Sequence, residues 1–320
     1  MKQQSIYETL GLAARKDPSH FADELEIYDF FSGGGGFGEG ARQAGCRVAW
    51  ACDSCPLALE AHAANHPGCT LLQTTLPLPR AQWPFPTDGR PFHAHFSPPC
   101  TQFSKINTHG RSDDGLRQAT NLVRWSIKTA LASGATSWSL EQVCTFRVVA
   151  LVEAIRKRHP TRVAYARFDL SELGVPQTRT RLLAGSPELI ARLMRLRSRS
   201  NRRSVSDAIA KPRGTHVRDS RGWIEKRHSF DGRAVYTKAA WSDGCHLTTD
   251  PSPTVLSGRE LSWVTPSAAG CPHAQLSTPE VAALQTFPLH YRWPRCAKRA
   301  LRLIGNAFPP LVARLLMGGK

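Results

Sequence analysis

Residues 26–53 limit what this chain can fold into more than any other stretch. Glu26-Ile-Tyr-Asp-Phe-Phe is a short apolar run that ends at Ser32. Gly33-Gly34-Gly35-Gly36-Phe37-Gly38-Glu39-Gly40 follows, and the pattern after it predicts a helix over 37–44. Strand, glycine turn and helix make the first unit of a doubly wound α/β sheet, where glycines let the backbone approach a ligand closely. Arg47-Val-Ala-Trp-Ala-Cys-Asp is the expected second strand, and it ends in a carboxylate. An acid at that end is placed to accept both hydroxyls of a ribose, and equally to cap a helix over 56–65. The expected ligand therefore contains a nucleoside.

After a weak third strand at Thr70-Leu-Leu and a proline-rich loop over 73–91, Arg90-Pro-Phe-His-Ala-His-Phe alternates as a short strand does. Pro98 and Pro99 stop it, having no N–H to give a ladder. Cys100 is delivered at the stop, at the end of the sheet where open α/β folds bind ligands. It reads either as a nucleophile or as an ordinary buried thiol. A polar stretch over 105–115 has the composition of a loop that closes over substrate. Helical spacing covers 116–133, and Ser137-Trp-Ser-Leu-Glu-Gln-Val is a fifth strand with Glu141 near its end. A helix over 146–159 and a strand over 162–170 come next. In the turn and strand over 174–185, Gln177, Arg179 and Arg181 are two apart and so share a side.

From 186 onward the pattern changes. Arg192 to Arg203 is a charge run, and the irregular stretch over 213–242 mixes basic residues with Trp223, Phe230, Tyr236 and Trp241. The whole chain of 320 residues carries a formal charge of +17, an excess that attracts polyanions, nucleic acid first. No apolar run approaches the length that spans a membrane. Nine cysteines, an odd number scattered through a large chain, read as reduced thiols in a cytoplasmic protein. Cys52 and Cys55 have knuckle spacing but no second doublet, so no metal is expected. Residues 1–24 read as a polar tail. A rigid turn at Asp250-Pro-Ser-Pro-Thr, a helix over 279–287 behind Thr278, and an apolar helix over 311–317 close the chain.

Taken together, Asp29-Phe-Phe-Ser-Gly-Gly-Gly-Gly-Phe, Pro98-Pro-Cys100, Glu141-Gln-Val, Gln177-Thr-Arg-Thr-Arg181, Ser252-Pro-Thr, Gln285-Thr-Phe-Pro and Gly305-Asn-Ala resemble the DNA (cytosine-5) methyltransferases, in that family's order. The resemblance implies a Rossmann-like seven-stranded S-adenosylmethionine-dependent methyltransferase fold with a small, irregular target-recognition domain. It divides the chain into a tail (1–24), a catalytic cofactor-binding domain (25–186), a target-recognition domain (187–294) and a segment returning to the catalytic domain (295–320). It makes Cys100 the nucleophile on carbon 6 of a flipped-out cytosine, Glu141 the acid facing N3, Arg181 the holder of O2 and Arg179 a source of positive charge. Phe31, Ser32, Gly33, Gly34, Gly36, Asp53, Ser97, Pro98, Asn306 and Ala307 would hold S-adenosyl-L-methionine.

Double-stranded DNA is the implied partner of a monomeric enzyme without membrane contact; a restriction endonuclease partner is not readable. RNA as the substrate, or a catalytically silent DNA-binding relative, are the alternatives. A nicotinamide dehydrogenase would account for the glycines but not for Pro-Pro-Cys or Gln-x-Arg-x-Arg. Three departures stand out. Gln142 replaces the family's usual Asn, Thr101 stands where Gln is common, and the acid expected after strand three is absent, leaving Gln73 or Thr74.

Overall fold

The apolar run before the glycine turn is the central parallel strand β1 (Glu26–Phe30), flanked by β2 (Arg47–Asp53) and β4 (Phe92–Phe96). The protein is described here by a computed structural model covering residues 25–103, 112–209, 216–219, 245–257, 261–264 and 273–318. β3 (Thr70–Gln73), β5 (Ser137–Val143), β6 (Ala164–Asp169) and β7 (Thr180–Gly185) complete a seven-stranded sheet in the order β3-β2-β1-β4-β5-β7-β6. All neighbours are parallel except β7, which runs antiparallel to β5 and β6. This is the methyltransferase sheet that the motifs imply.

Helices cover both faces. α1 (Gly36–Gln43) leaves the glycine turn and packs beside α9 (Pro310–Leu316). The approach is close enough that a Cβ on Gly40 would lie 2.0 Å from the Pro310 carbonyl oxygen, so the glycines continue into the helix for packing. α2 (Pro56–Asn65) follows β2, while α3 (Asp113–Ala132) and α4 (Phe146–Arg158) bracket β5. One core lies on the side of Phe96, Trp125, Ile127 and Val152, and a second gathers Phe37, Phe168, Leu183, Leu193 and Val312 under α9. Among the described residues, no helix is long and apolar enough to cross a membrane.

Three expectations need correction. The alternation of apolar and polar side chains in β4 does not extend to burial: every residue of the strand is buried, His93 and His95 included. The start of the charge run is an amphipathic helix, α5 (Pro187–Leu196), whose Leu189, Ile190 and Leu193 join the second core. There Arg192 donates to the Leu316 carbonyl at 2.8 Å, capping α9 as basic side chains do at helix C-termini. Packing therefore joins 187–196 to the second core. The helix behind the rigid turn, α7 (Thr278–Leu284), is capped by Ser277, whose N–H donates to Glu280 at 2.6 Å.

Between α5 and α7 lie α6 (Val205–Ala208) and a four-stranded antiparallel sheet of β8 (His216–Asp219), β9 (Cys245–Leu247), β10 (Leu261–Val264) and β11 (His273–Gln275), in the order β11-β10-β8-β9. A third core joins Val205, Val255, Leu261, Leu276 and Leu284 to Ile304 of α8 (Ala297–Asn306), a helix not foreseen in the sequence. The tail over 1–24, most of the loop over 105–115, and Trp223, Phe230, Tyr236 and Trp241 lie outside the described residues.

Candidate active site

The carboxyl ends of β1, β2, β4 and β5 converge, as the topology requires of a parallel sheet whose order reverses between β1 and β4. At β4, Ser97 donates its N–H to the Phe30 carbonyl at 3.2 Å, and Pro98 and Pro99 carry the chain out to Cys100, which is half-buried. The Gln142 side chain donates to the Pro98 carbonyl at 3.0 Å and accepts from the Val143 N–H at 2.8 Å. The residue that departs from the usual Asn thus ties the Pro98-Pro99 segment that carries Cys100 to β5. The sequence marked Gln142 only as a departure; its role depends on β4 and β5 being neighbours.

Arg181 and Glu141 form an ion pair, Nε to Oε1 at 2.6 Å. Both face Cys100. Burial, and then the Glu141 charge, push the Cys100 thiol above its ordinary value, while Arg181 and Arg179 pull it down without prevailing. The expected activation by positive charge is therefore incomplete in the free protein, and the thiol rests protonated.

Arg179 and Gln177 are not on a basic surface. Arg179 is 3% exposed and donates from Nη1 to the Val255 carbonyl at 3.0 Å and to the Gly305 carbonyl at 3.4 Å. Burial, then Arg181, lower its pKa, yet a guanidinium stays charged at neutral pH. Gln177 donates to the Leu284 carbonyl and to the Gln285 side chain, and accepts from the Val255 N–H at 2.9 Å. Gln285 in turn donates to the carbonyls of Ile304 and Ala307, both at 2.9 Å. Thr178 and Thr254 are joined likewise, the Thr254 hydroxyl donating to the Thr178 carbonyl. Four separate sequence motifs are thereby knotted behind the site. Arg181 alone of the Gln-x-Arg-x-Arg triplet lies within a strand, and that strand is not at the sheet edge.

The glycine turn lies opposite. Phe31 is held at φ 59°, the left-handed region that a non-glycine residue occupies only when its surroundings insist. Its ring meets Trp125 edge-on at 6.4 Å. Asp53 accepts from the Gly33 N–H at 2.9 Å and the Cys55 N–H at 2.8 Å, so it braces the turn and the start of α2 together. Thr74 donates its N–H to the Asp53 carbonyl at 3.1 Å, and Gln73 is exposed at the end of β3. On the C-terminal side Ala307 is buried and Asn306 exposed.

The residues of this turn fit S-adenosylmethionine, whose sulfonium, ammonium and ribose hydroxyls call for acceptors. Both oxygens of Asp29 and the Ser32 hydroxyl are buried without a completed hydrogen bond among the described residues, although the Gly38 N–H points toward Asp29. A Cβ on Gly33 would meet nothing within 4 Å, so the turn has open space above it. Burial, then Asp53, hold the Asp29 carboxyl well above the usual range. Asp29 was part of a motif but not of the expected site; an acid immediately before the turn was the available signal. Among the described residues no cluster of His, Cys, Asp and Glu could hold a metal ion.

No family model matches the chain. It is 25% identical over 312 residues to the Type II methyltransferase M.HgiDI of Herpetosiphon aurantiacus, covering 91% of this chain and 93% of that protein. A crystal structure from E. coli, described as a DNA modification methyltransferase encoded within a prophage, superposes with a TM-score of 0.64 at 18% identity, over 92% of this chain and 97% of that one. The Dnmt2 methyltransferase of S. pombe superposes with a TM-score of 0.58 at 15% identity, over 92% and 97%. The resemblance read from the motifs is upheld over about nine-tenths of the chain, in sequence by the first of these and in fold by the other two.

Proposed function

The chain is a methyltransferase with the fold of the DNA (cytosine-5) family, and we propose that it methylates carbon 5 of a flipped-out cytosine in double-stranded DNA through a covalent Cys100 adduct. One observation carries this reading: Cys100 follows the end of β4, and the Glu141–Arg181 pair of β5 and β7 lies near enough for both its charges to act on the thiol. A thiol, a carboxyl and a guanidinium suit a pyrimidine whose carbon 6, N3 and O2 must be addressed together.

Cytosine carbon 5 is a poor nucleophile until sulfur adds at carbon 6. Cys100 gives its proton to the Glu141 carboxylate and bonds to carbon 6, and electron density moves through the ring toward N3. Glu141 shares a proton at N3, while Arg181 turns from Glu141 to the carbonyl O2. When bound, S-adenosyl-L-methionine would supply an electrophilic methyl group for carbon 5, the methyl–sulfonium bond breaking to leave S-adenosylhomocysteine. Loss of the carbon 5 proton and of the Cys100 sulfur then releases 5-methylcytosine. The reacting atoms are inaccessible within a duplex, so the base must leave the stack. Phe31, Ser32, the glycines from Gly33 to Gly36, Asp53 and Asn306 would hold the cofactor, and Ser97 and Pro98 would form the wall it shares with the base.

DNA containing 5-fluorocytosine tests the proposal, because fluorine cannot leave as a proton does. With cofactor present, such a duplex should form a denaturation-resistant adduct with the protein, and Cys100→Ala should form none. Absence of an adduct with intact Cys100, or an adduct only with 5-fluorocytosine RNA, would overturn it.

A further inference from the structure

A line of polar side chains crosses the centre of the sheet, and the reaction above leaves it unused. His93 and His95 of β4 are fully buried, and in register beside them stand Ser137 and Ser139 of β5. Ser137 Oγ is 2.8 Å from His93 Nδ1, and His93 Nε2 is 2.9 Å from Ser139 Oγ. Ser139 Oγ is 2.7 Å from His95 Nδ1, and His95 Nε2 is 2.8 Å from Ser97 Oγ. The Phe37 ring lies parallel to His95 at 3.6 Å and to His93 at 5.5 Å, which keeps both imidazoles from turning over.

Counting hydrogens restricts what this line can do. Burial holds both imidazoles well below the usual histidine value, so each is neutral, with one N–H and one bare nitrogen. Ser139 lies between two ring nitrogens and has one hydrogen to give. Were it to accept from both rings, its own hydrogen would be stranded in the core, which is unfavourable. All four bonds therefore point the same way.

Two polarities remain. In one, both rings carry the proton on Nε2, and Ser97 keeps its hydrogen for the cleft. In the other, both carry it on Nδ1, and the leftover hydrogen falls on Ser137. Ser137 is 9% exposed, whereas Ser97 is only half-buried and opens on the site. A surplus donor is better placed at the solvated end. The line is no path for protons, because each passage would reverse both tautomers and the Phe37 stack blocks the ring flips that would reset them.

We propose that His93, Ser139 and His95 are positioning residues that present the Ser97 hydroxyl as a hydrogen-bond donor to an acceptor atom of the bound cofactor. The proposal rests on the methyltransferase reading and adds to it a chain of command from the sheet interior to the pocket wall.

Nitrogen-15 NMR of the ligand-free protein tests the polarity directly: both His93 and His95 should be Nε2–H tautomers. An Nδ1–H tautomer or an imidazolium at either ring would overturn the proposal. Ser139→Ala breaks the line two bonds away from the pocket. It should weaken S-adenosylhomocysteine binding about three- to tenfold by calorimetry, the loss of one hydrogen bond. Ser139→Thr, which keeps the hydroxyl, should restore binding, and unchanged affinity in Ser139→Ala would overturn the proposal. If Ser139→Ala does not fold, Ser97→Ala should show the same loss, and unchanged affinity there is equally fatal. Failure of the wild-type protein to bind S-adenosylhomocysteine would instead sink the methyltransferase reading, and the tautomers would still decide the polarity.

Discussion

Arg181 and Glu141 hold one another at 2.6 Å beside Cys100, so in the free protein the two groups meant for the base are occupied with each other. The pair also sets the nucleophile's readiness, since Glu141 raises the thiol and Arg181 lowers it. Alkylation of Cys100, followed on its own peptide by mass spectrometry, should have a midpoint above the roughly 8.5 of a free cysteine. Glu141→Gln removes a charge that raises the thiol, so its midpoint should fall and its rate at neutral pH should increase. Arg181→Gln should do the opposite. Both variants should lose roughly a hundredfold or more in methyl transfer, the scale on which preorganised polar groups at a reacting centre contribute.

Asp29 gives a stability signature with a definite sign. Its folded-state pKa lies well above its unfolded one, because burial and Asp53 disfavour the charge. Between the two values the folded chain holds a proton that the unfolded chain has released. Its contribution therefore makes stability fall as pH rises from about 4 through the folded value. Asp29→Asn keeps the shape without the titration. Denaturant melts of the ligand-free protein should show this variant more stable than wild type at neutral pH, with a flatter pH dependence. S-adenosylhomocysteine binding should be weaker in the same variant. A loss of stability would mean that the carboxyl is not the strained group its burial implies.

The charge should be visible in DNA binding. With a net +17 and exposed Arg295, Lys298, Arg299 and Arg302 on or beside α8, the protein should displace counterions from a duplex. Log affinity should fall linearly with log salt, with a slope of about −0.9 for each phosphate neutralised. A flat titration between low and moderate salt would show that this charge does not meet the duplex.

The sequence was most readable where hydrophobicity and glycine speak for local structure. β1, the glycine turn and β2 are legible because an apolar run, a stretch of glycines and a terminal carboxylate each have few alternatives. β4 was legible as a strand but not as a buried one. His93 and His95 look like a solvated face until Ser137 and Ser139 are known to sit beside them, and no local pattern announces a partner 44 residues away. The same blindness affected Arg179, whose carbonyl partners lie 76 and 126 residues on. Alternation shows that side chains share a side; it does not show whether water or another segment covers that side. In α5, arginines hid the apolar stripe of Leu189, Ile190 and Leu193, which spacing alone could have shown.

The knot behind the site yields the prediction that best separates framework from chemistry. Gln285 bridges Gln177 to the carbonyls of Ile304 and Ala307, and so couples the segment before β7 to the C-terminal end of α8, which carries Asn306. Gln285→Leu removes the acceptor for one Gln177 amide hydrogen and the side-chain donor to the Ile304 and Ala307 carbonyls, of which Ile304 keeps the Ala307 N–H, at about 1–3 kcal/mol for each group that stays unsatisfied. Gln177→Leu removes the donor to the Gln285 side-chain oxygen and to the Leu284 carbonyl and the acceptor of the Val255 N–H. Each single variant should therefore unfold at clearly lower denaturant concentration, although neither side chain faces Cys100 in the reaction proposed here. The double variant removes both ends of the shared bond, so its destabilisation should be less than the sum, by about 0.5–3 kcal/mol. Simple additivity in that cycle would show that the two glutamines act independently, and that the motifs are not held together through them.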